Sequence, residues 1–141
     1  MAVVVLDAGH GGSDLGATYQ GRQEKDDTLA LTLAVGRLLA ENPDIDVVYT
    51  RGTDVYDTPL VKARKANAAN ADYFVSIHRN STPVPSTYSG VETLVYSKGT
   101  LAETLARNIA SALSAIGFAD LGTTAVSYTH LRAHETKANL V

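Results

Sequence analysis

The chain has 141 residues, of which 45% are hydrophobic and 19% are charged, so it is long enough to form one domain with a buried core. Twelve basic residues against fifteen acidic ones leave a net charge of −3, which argues against a nucleic-acid-binding protein. No unbroken apolar segment is long enough to span a bilayer. The chain has no cysteine, which is compatible with an exported protein that needs no disulfide.

The hydrophobic pattern predicts an α/β domain with a mixed, mostly parallel sheet and helices on both of its faces. Pro43 follows the first predicted helix and Pro59 begins the second, which suits these boundaries. In chain order we expect a strand at 2–6, a loop, a helix at 26–41, a strand at 46–50, a helix at 59–69, strands at 73–77 and 91–96, and a helix at 100–115.

Two histidines stand out because they are the only ones in the first 125 residues, namely His10 and His78. Each follows a strand-like apolar run and begins a polar turn. The carboxyl ends of parallel strands line the crevice where such sheets bind ligands, so two imidazoles delivered there can share a metal ion. A hydrolytic zinc site needs three protein ligands and one open position, and two histidines with one glutamate form a recurring set. The sequence therefore predicts a zinc site at one edge of the strands, with a carboxylate as the third ligand.

The candidate carboxylate is Glu24, which follows a glycine-rich loop beginning at His10. We expect Glu24 to lie just before an amphipathic helix whose apolar residues recur at helical spacing. An acidic residue at this place has a second interpretation, since carboxylates favour helix N-termini without any metal. The apolar residues of the predicted helix are Leu29, Leu31, Leu33, Val35, Leu38 and Leu39.

Taken in order, these motifs resemble the zinc-dependent N-acetylmuramoyl-L-alanine amidases of the Amidase_3 type, a family of cell-wall hydrolases. The resemblance covers Val3 to about Tyr96. It departs from the commoner family pattern at Ala8, where proline is usual, and at Arg79, where a small residue is usual. The matching segments are Asp7 to Gly12, Asp14 to Ala17, Glu24, Thr50 to Asp54, Leu60, Arg64, Ala66 with Asn67, Ser76 to Asn80, and Gly90 to Glu92.

The resemblance implies that His10, Glu24 and His78 bind Zn²⁺, with water in the fourth place. The ion would polarise the amide carbonyl and lower the pKa of its water, and the bond cut would join the muramic acid lactyl group to L-alanine of the stem peptide. The implied partner is peptidoglycan, with no nucleic acid and no membrane span, and we expect a monomer. The full-length protein would act in an extracellular, periplasmic or cell-wall location, although no signal peptide precedes Val3.

Other polar residues in the matching segments receive structural roles. We expect Asp7 to orient the glycine loop or a ligand histidine, as carboxylates beside metal sites commonly do. Four further polar residues are expected to connect the strand after the first helix to the second helix, namely Arg51, Asp54, Arg64 and Asn67. The segment Pro83 to Gly90 is a candidate substrate-contacting rim.

The sequence of the C-terminal part indicates that the domain is truncated. The family resemblance implies an essential proton-transfer glutamate on a later strand, and no segment here matches its context, so the catalytic residue is unknown and we expect zinc binding with little or no turnover. Residues 126–135 read Val-Ser-Tyr-Thr-His-Leu-Arg-Ala-His-Glu, which is one reading frame of a transposase sequencing adapter. We therefore expect an incomplete catalytic domain at 1–125 and a non-biological tail at 126–141. His130, His134 and Glu135 in that tail lack the order of a metalloprotease motif.

Two other functions stay open at this point. A non-catalytic peptidoglycan-binding module would bind wall fragments with or without zinc. A zinc peptidase or deacetylase would use the same ligands on another bond.

Overall fold

The computed structural model describes residues 1–81 and 89–126, and the backbone alone at 139–140. These residues form three helices and eight strands in an alternating order that confirms the predicted α/β fold. The helices are α1 (Glu24–Leu39), α2 (Pro59–Ala68) and α3 (Leu101–Ala115). The strands are β1 (Ala2–Ala8), β2 (Thr18–Tyr19), β3 (Arg22–Gln23), β4 (Ile45–Tyr49), β5 (Tyr73–Ile77), β6 (Val91–Val95), β7 (Asp120–Ala125) and β8 (Asn139–Leu140).

The central strand of the first sheet is β1, which pairs in parallel with β4 on one side and β5 on the other. Its apolar run suits a strand covered on both faces. In the register with β5, Ala8 lies opposite Ile77, so the two chains leave the sheet side by side. This places the residues that follow β1 and β5 at one edge of the strands.

A second sheet has the order β7-β6-β8, and β8 also approaches β5. Strand β6 is parallel to β7 and antiparallel to β8, which makes the strand arrangement mixed but mostly parallel, as predicted. The strands β7 and β8 and the short antiparallel pair β2-β3 were absent from the expected elements. Gly122 inside β7 has a φ of 104°, and a glycine in this conformation weakens the local strand signal.

Helices cover both faces of the first sheet. Ala66 of α2 packs against Val5 and Phe74 in the main apolar core. On the other face, α1 approaches so closely that a Cβ on Gly36 would lie 2.0 Å from the Tyr49 hydroxyl oxygen. The two helices thus sandwich β1, as the α/β pattern predicts.

The buried stripe of α1 differs from the predicted one. Its most buried positions after the first turn are Thr28, Thr32 and Gly36, which recur every four residues along one helix face. Leu31 and Leu38, both expected to face the core, are 53% and 67% exposed. Small side chains let α1 sit close to the sheet, so the helix buries these residues most deeply, whereas Leu29, Leu33 and Leu39 are half-buried.

Some expected features fall largely outside the described residues. These are the candidate rim at 83–90, of which only 89 and 90 are described, and most of the predicted tail at 126–141, including His130 and His134. None of the described helices is long and apolar enough to cross a membrane.

Candidate metal centre

The structure brings together the three side chains that the sequence singles out as metal ligands. His10 follows β1, His78 follows β5, and Glu24 is the first residue of α1, so the helix starts two residues earlier than expected. One donor atom from each of the three lies within 4.8 Å of the others. The group could therefore hold a metal ion.

The separations between the donor atoms are short. His10 Nε2 lies 3.1 Å from Glu24 Oε2, and His78 Nδ1 lies 3.1 Å from Glu24 Oε1. The two imidazole rings meet edge-on, with centroids 4.9 Å apart and an interplanar angle of 82°. Tetrahedral ligands at zinc bond lengths are separated by about 3.3 Å, so the spacing and the nitrogen and oxygen donors both fit such an ion.

Glu24 is held by contacts outside its own helix. Its side chain is 3% exposed, and its two oxygens accept backbone N–H groups from Ala17 and Arg79 at 2.8 Å each. Burial raises the pKa of Glu24, but hydrogen bonds from His78 and these two amides, with the charge of His10, lower it to about 2. The carboxylate is therefore ionised at neutral pH and faces the histidines, which a helix-capping role alone does not require.

Asp14 orients His10, a contact that the sequence analysis did not anticipate. Asp14 Oδ2 lies 2.9 Å from His10 Nδ1, and its Oδ1 accepts the N–H of Gly16 at 3.2 Å. When Nδ1 carries the ring proton and donates it to Asp14, Nε2 carries no hydrogen and faces Glu24. The available signal was an acidic residue four positions after His10 in the same glycine-rich loop.

Two glycines leave the space that the ligands occupy. A Cβ on Gly9 would lie between 2.4 and 2.7 Å from three atoms of the His78 ring. A Cβ on Gly16 would lie 2.5 Å from His10 Cδ2 and 2.7 Å from Glu24 Oε2, and Gly16 also has a φ of 65°. Side chains at either place would push the ligands apart, so the glycine-rich segment serves the site by its lack of side chains.

The loop that carries His10 is held by Arg51 and by the pair Lys25–Asp54. Arg51 donates to the carbonyl oxygens of Ala8 and Gly9 at 3.1 and 3.0 Å. Lys25 Nζ donates to the carbonyl oxygen of Gly12 at 3.1 Å and to the side-chain Oδ2 of Asp54 at 2.5 Å. Such support matters because the backbone of His10 has a φ of 61°, a conformation that residues other than glycine rarely adopt.

The prediction that Arg51, Asp54, Arg64 and Asn67 join the strand after the first helix to the second helix was therefore wrong. Arg51 and Asp54 stabilise the loop that carries His10 and the start of α1, whereas they were expected to join β4 to α2. Arg64 and Asn67 are exposed on α2. These partners lie between 26 and 43 residues apart in sequence, which local patterns do not report.

Asp7 also has a different task from the expected one. It accepts hydrogen bonds from Thr50 and Ser76 at 2.6 and 2.7 Å and forms an ion pair with Lys62 at 2.9 Å. Burial raises the pKa of Asp7, but the charge of Lys62 and the hydrogen bonds outweigh it and leave the pKa below the ordinary value. Asp7 thus joins three strands and α2 beneath the site.

Comparison with known proteins agrees with this geometry. The sequence model of the Amidase_3 family, described as N-acetylmuramoyl-L-alanine amidase, matches residues 4–141. The chain is 48% identical over 81 residues to an endolysin of Bacillus phage SPP1, covering 57% of this chain and 30% of the endolysin. It is 36% identical over 135 residues to a sporulation-specific N-acetylmuramoyl-L-alanine amidase of Bacillus subtilis, covering 94% of this chain and 51% of the relative. The chain thus spans about half or less of the length of these curated relatives.

Solved structures give the same result. The catalytic domain of CwlV, an N-acetylmuramoyl-L-alanine amidase from Paenibacillus polymyxa, superposes with a TM-score of 0.88 at 32% identity, covering 99% of this chain and 79% of that one. An N-acetylmuramoyl-L-alanine amidase from Clostridium difficile 630 superposes with a TM-score of 0.90 at 30% identity, covering 99% and 77% of the two chains. The fold, the assembled side chains and these matches together show that this chain belongs to the N-acetylmuramoyl-L-alanine amidase family.

Proposed function

We propose that the protein hydrolyses the amide bond between N-acetylmuramic acid and the L-alanine of the peptidoglycan stem peptide. The observation that carries the proposal is the convergence of two imidazoles and one ionised carboxylate at the carboxyl ends of adjacent parallel strands. The relatives named above are amidases or a phage endolysin, which supports the same bond. Since peptidoglycan lies outside the cytoplasmic membrane, we propose an extracellular, periplasmic or cell-wall place of action.

We further propose that His10, Glu24 and His78 hold one Zn²⁺. Two nitrogen donors disfavour Mg²⁺ and Ca²⁺, which take oxygen ligands, whereas imidazole and carboxylate together suit zinc. When bound, such an ion acts as a Lewis acid toward a carbonyl and lowers the pKa of water.

The chain's own residues prepare that site in three ways. Glu24 supplies a negative charge that needs no deprotonation at neutral pH, since its pKa is about 2. Asp14 holds the His10 ring in the orientation that presents Nε2. Arg51 fixes the backbone on which His10 stands. The residue that transfers the proton is unassigned in this chain.

Metal binding is tested with zinc titrations of the stripped protein. We expect one zinc per chain in the wild type and loss of tight binding in His10→Ala, Glu24→Gln and His78→Ala. The matched control is the double variant His130→Ala/His134→Ala, which removes the remaining two histidines and should bind zinc as the wild type does. We place those two histidines in a non-biological tail at 126–141, following a catalytic domain at 1–125. A wild type that binds no zinc, or a control that loses it, contradicts this assignment.

The bond is tested by long digestion of purified peptidoglycan with stoichiometric protein, followed by mass spectrometry. A new free amino end on L-alanine together with a free lactyl carboxyl supports the amidase. Release of acetate, or cleavage between two amino acids, would instead support the deacetylase or peptidase. Absence of both amidase products after long digestion would contradict the proposed hydrolysis.

A further inference from the structure

The residue after His78 makes two separate contacts with the first turn of α1. Its backbone N–H donates to Glu24 Oε1 at 2.8 Å. Its guanidinium forms an ion pair with Asp27, three residues further along the same helix. We propose that Arg79 is a positioning residue of the metal site, which holds His78 and Glu24 at binding distance through this ion pair. The inference rests on the metal binding proposed above.

The ion pair can affect the metal site because two of the ligands stand on different elements. His78 stands on the loop that follows β5, whereas Glu24 stands on α1, so their separation depends on how this loop meets that helix. A metal site tolerates errors in ligand distance of only about 0.2 Å. The backbone N–H of Arg79 joins this loop to α1 at Glu24 itself, where the His78 ring also makes its contact. The ion pair adds a second point, one helical turn away from the first.

The surroundings of the pair favour this role over a solvent-exposed contact. The side chains of Arg79 and Asp27 are 31% and 29% exposed, so water and salt screen the pair only in part. Asp27 Oδ1 is also contacted by Arg22 at 3.1 Å, but Arg22 is 69% exposed and lies on β3 instead of the loop that carries His78. The same carboxylate therefore has one arginine from the loop that carries His78 and one from β3.

Arg22 thus provides a matched control. Replacing either arginine removes one cation from one oxygen of Asp27, so the change in charge is the same. Only Arg79→Ala releases the loop that carries His78. A difference between the two variants therefore reports position rather than charge.

The experiment measures zinc affinity by competition with a chromophoric chelator. Arg79→Ala and Asp27→Ala should each weaken binding on the order of tenfold, the lower end of the loss seen for residues that support metal ligands. The double variant should bind about as well as the weaker single variant, because both changes remove one interaction. Arg22→Ala should stay within about twofold of the wild type.

Two further measurements separate positioning from a general loss of structure. Arg79→Lys should recover most of the affinity, since only one nitrogen of the guanidinium contacts Asp27 and an ammonium can replace it. The visible spectrum of the Co²⁺-loaded protein should change in Arg79→Ala and return in Arg79→Lys. If Arg79→Ala does not fold, Asp27→Asn and Arg79→Lys are tested instead. Asp27→Asn should then bind zinc weakly, and Arg79→Lys should bind it about as tightly as the wild type.

Several results would overturn the inference. One is zinc binding by Arg79→Ala as tight as that of Arg22→Ala. Another is a loss of zinc affinity in Arg79→Ala that adds fully to the loss in Asp27→Ala. Weaker binding of Arg79→Ala to purified peptidoglycan with unchanged zinc affinity would instead make Arg79 a substrate contact. A wild type that binds no zinc contradicts the proposed function instead, so the two failures are distinguishable.

Discussion

A methyl group added at Gly9 should remove metal binding without removing any ligand. The Cβ of Gly9→Ala would lie 2.4 Å from His78 Cε1, whereas ordinary contact begins at 3.4 Å, so the ring must retreat by about 1 Å. Two more ring atoms lie within 2.7 Å, so the overlap involves three atoms of the ring and not one alone. The backbone of Gly9 cannot easily yield, because its N–H donates to Ile77 and its carbonyl accepts from Thr28 and Arg51.

The displacement is large for a metal site and small for the fold. A shift of about 1 Å exceeds the tolerance of about 0.2 Å in ligand distance, so we expect zinc affinity to fall by about 100-fold or more. The His78 side chain is 28% exposed and can swing toward solvent, which keeps the loss of stability near the lower end of overpacking, about 1 kcal/mol. The affinity should therefore fall far more than the stability does.

The assay pairs competition titration with urea unfolding of the metal-free protein. Gly52→Ala is the matched control, because a Cβ at Gly52 meets nothing within 4 Å and its backbone needs no left-handed conformation. It should bind zinc within about twofold of the wild type and be as stable or slightly more stable. Wild-type zinc affinity in folded Gly9→Ala would refute the reasoning, since it would mean that His78 does not need its present place.

Three further changes test the support around the site. Asp14→Asn offers one oxygen to the two donors that the carboxylate now satisfies, so zinc affinity should fall about 10-fold to 100-fold in the competition assay, and an unchanged affinity would exclude the orienting role. Lys62→Met leaves Asp7 buried without its cation and should cost about 3 kcal/mol in urea unfolding at pH 7. Because the pKa of Asp7 is lowered from 3.8 in the folded state, its contribution is complete above that value and is lost as the pH falls through the lower folded pKa. The deficit of Lys62→Met should therefore shrink in acid, and a deficit independent of pH would argue against this pairing. Gly36→Ala gains about 1 kcal/mol of helix propensity but places a methyl 2.0 Å from the Tyr49 hydroxyl oxygen, so thermal unfolding should show a net loss of about 1–2 kcal/mol. A more stable Gly36→Ala would show that α1 can move off the sheet.

Local patterns were sufficient for much of the fold. The boundaries of α2 and α3 were predicted to within one residue, because each follows a threonine whose side chain accepts a hydrogen bond from the first turn, and Pro59 begins α2. The inward face of α1 was predicted incorrectly. Hydrophobic spacing indicated Leu31 and Leu38, but the close approach of the Tyr49 ring to Gly36 turns a stripe of small residues to the sheet.

The candidate ligands could be found from sequence because each stands at the end of a recognisable element. The contacts of Asp14 with His10 and of Arg79 with Asp27 form only in the folded chain, and neither contact changes the local hydrophobic pattern. The partners of Arg51 and Asp54 were missed for the same reason.

The sequence by itself determined the order of strands and helices up to α3, apart from the short β2-β3 pair. It also determined the identity of the three candidate ligands and the family, since these depend on motifs within short segments. Only the tertiary structure decided which side chains hold those ligands in place. Hydrogen bonds and ion pairs such as those of Arg79 and Lys25 join residues 29 to 52 positions apart, and they form only after parallel pairing has brought the strand ends together. Residue type limits what a side chain can bind, whereas folding selects its partner.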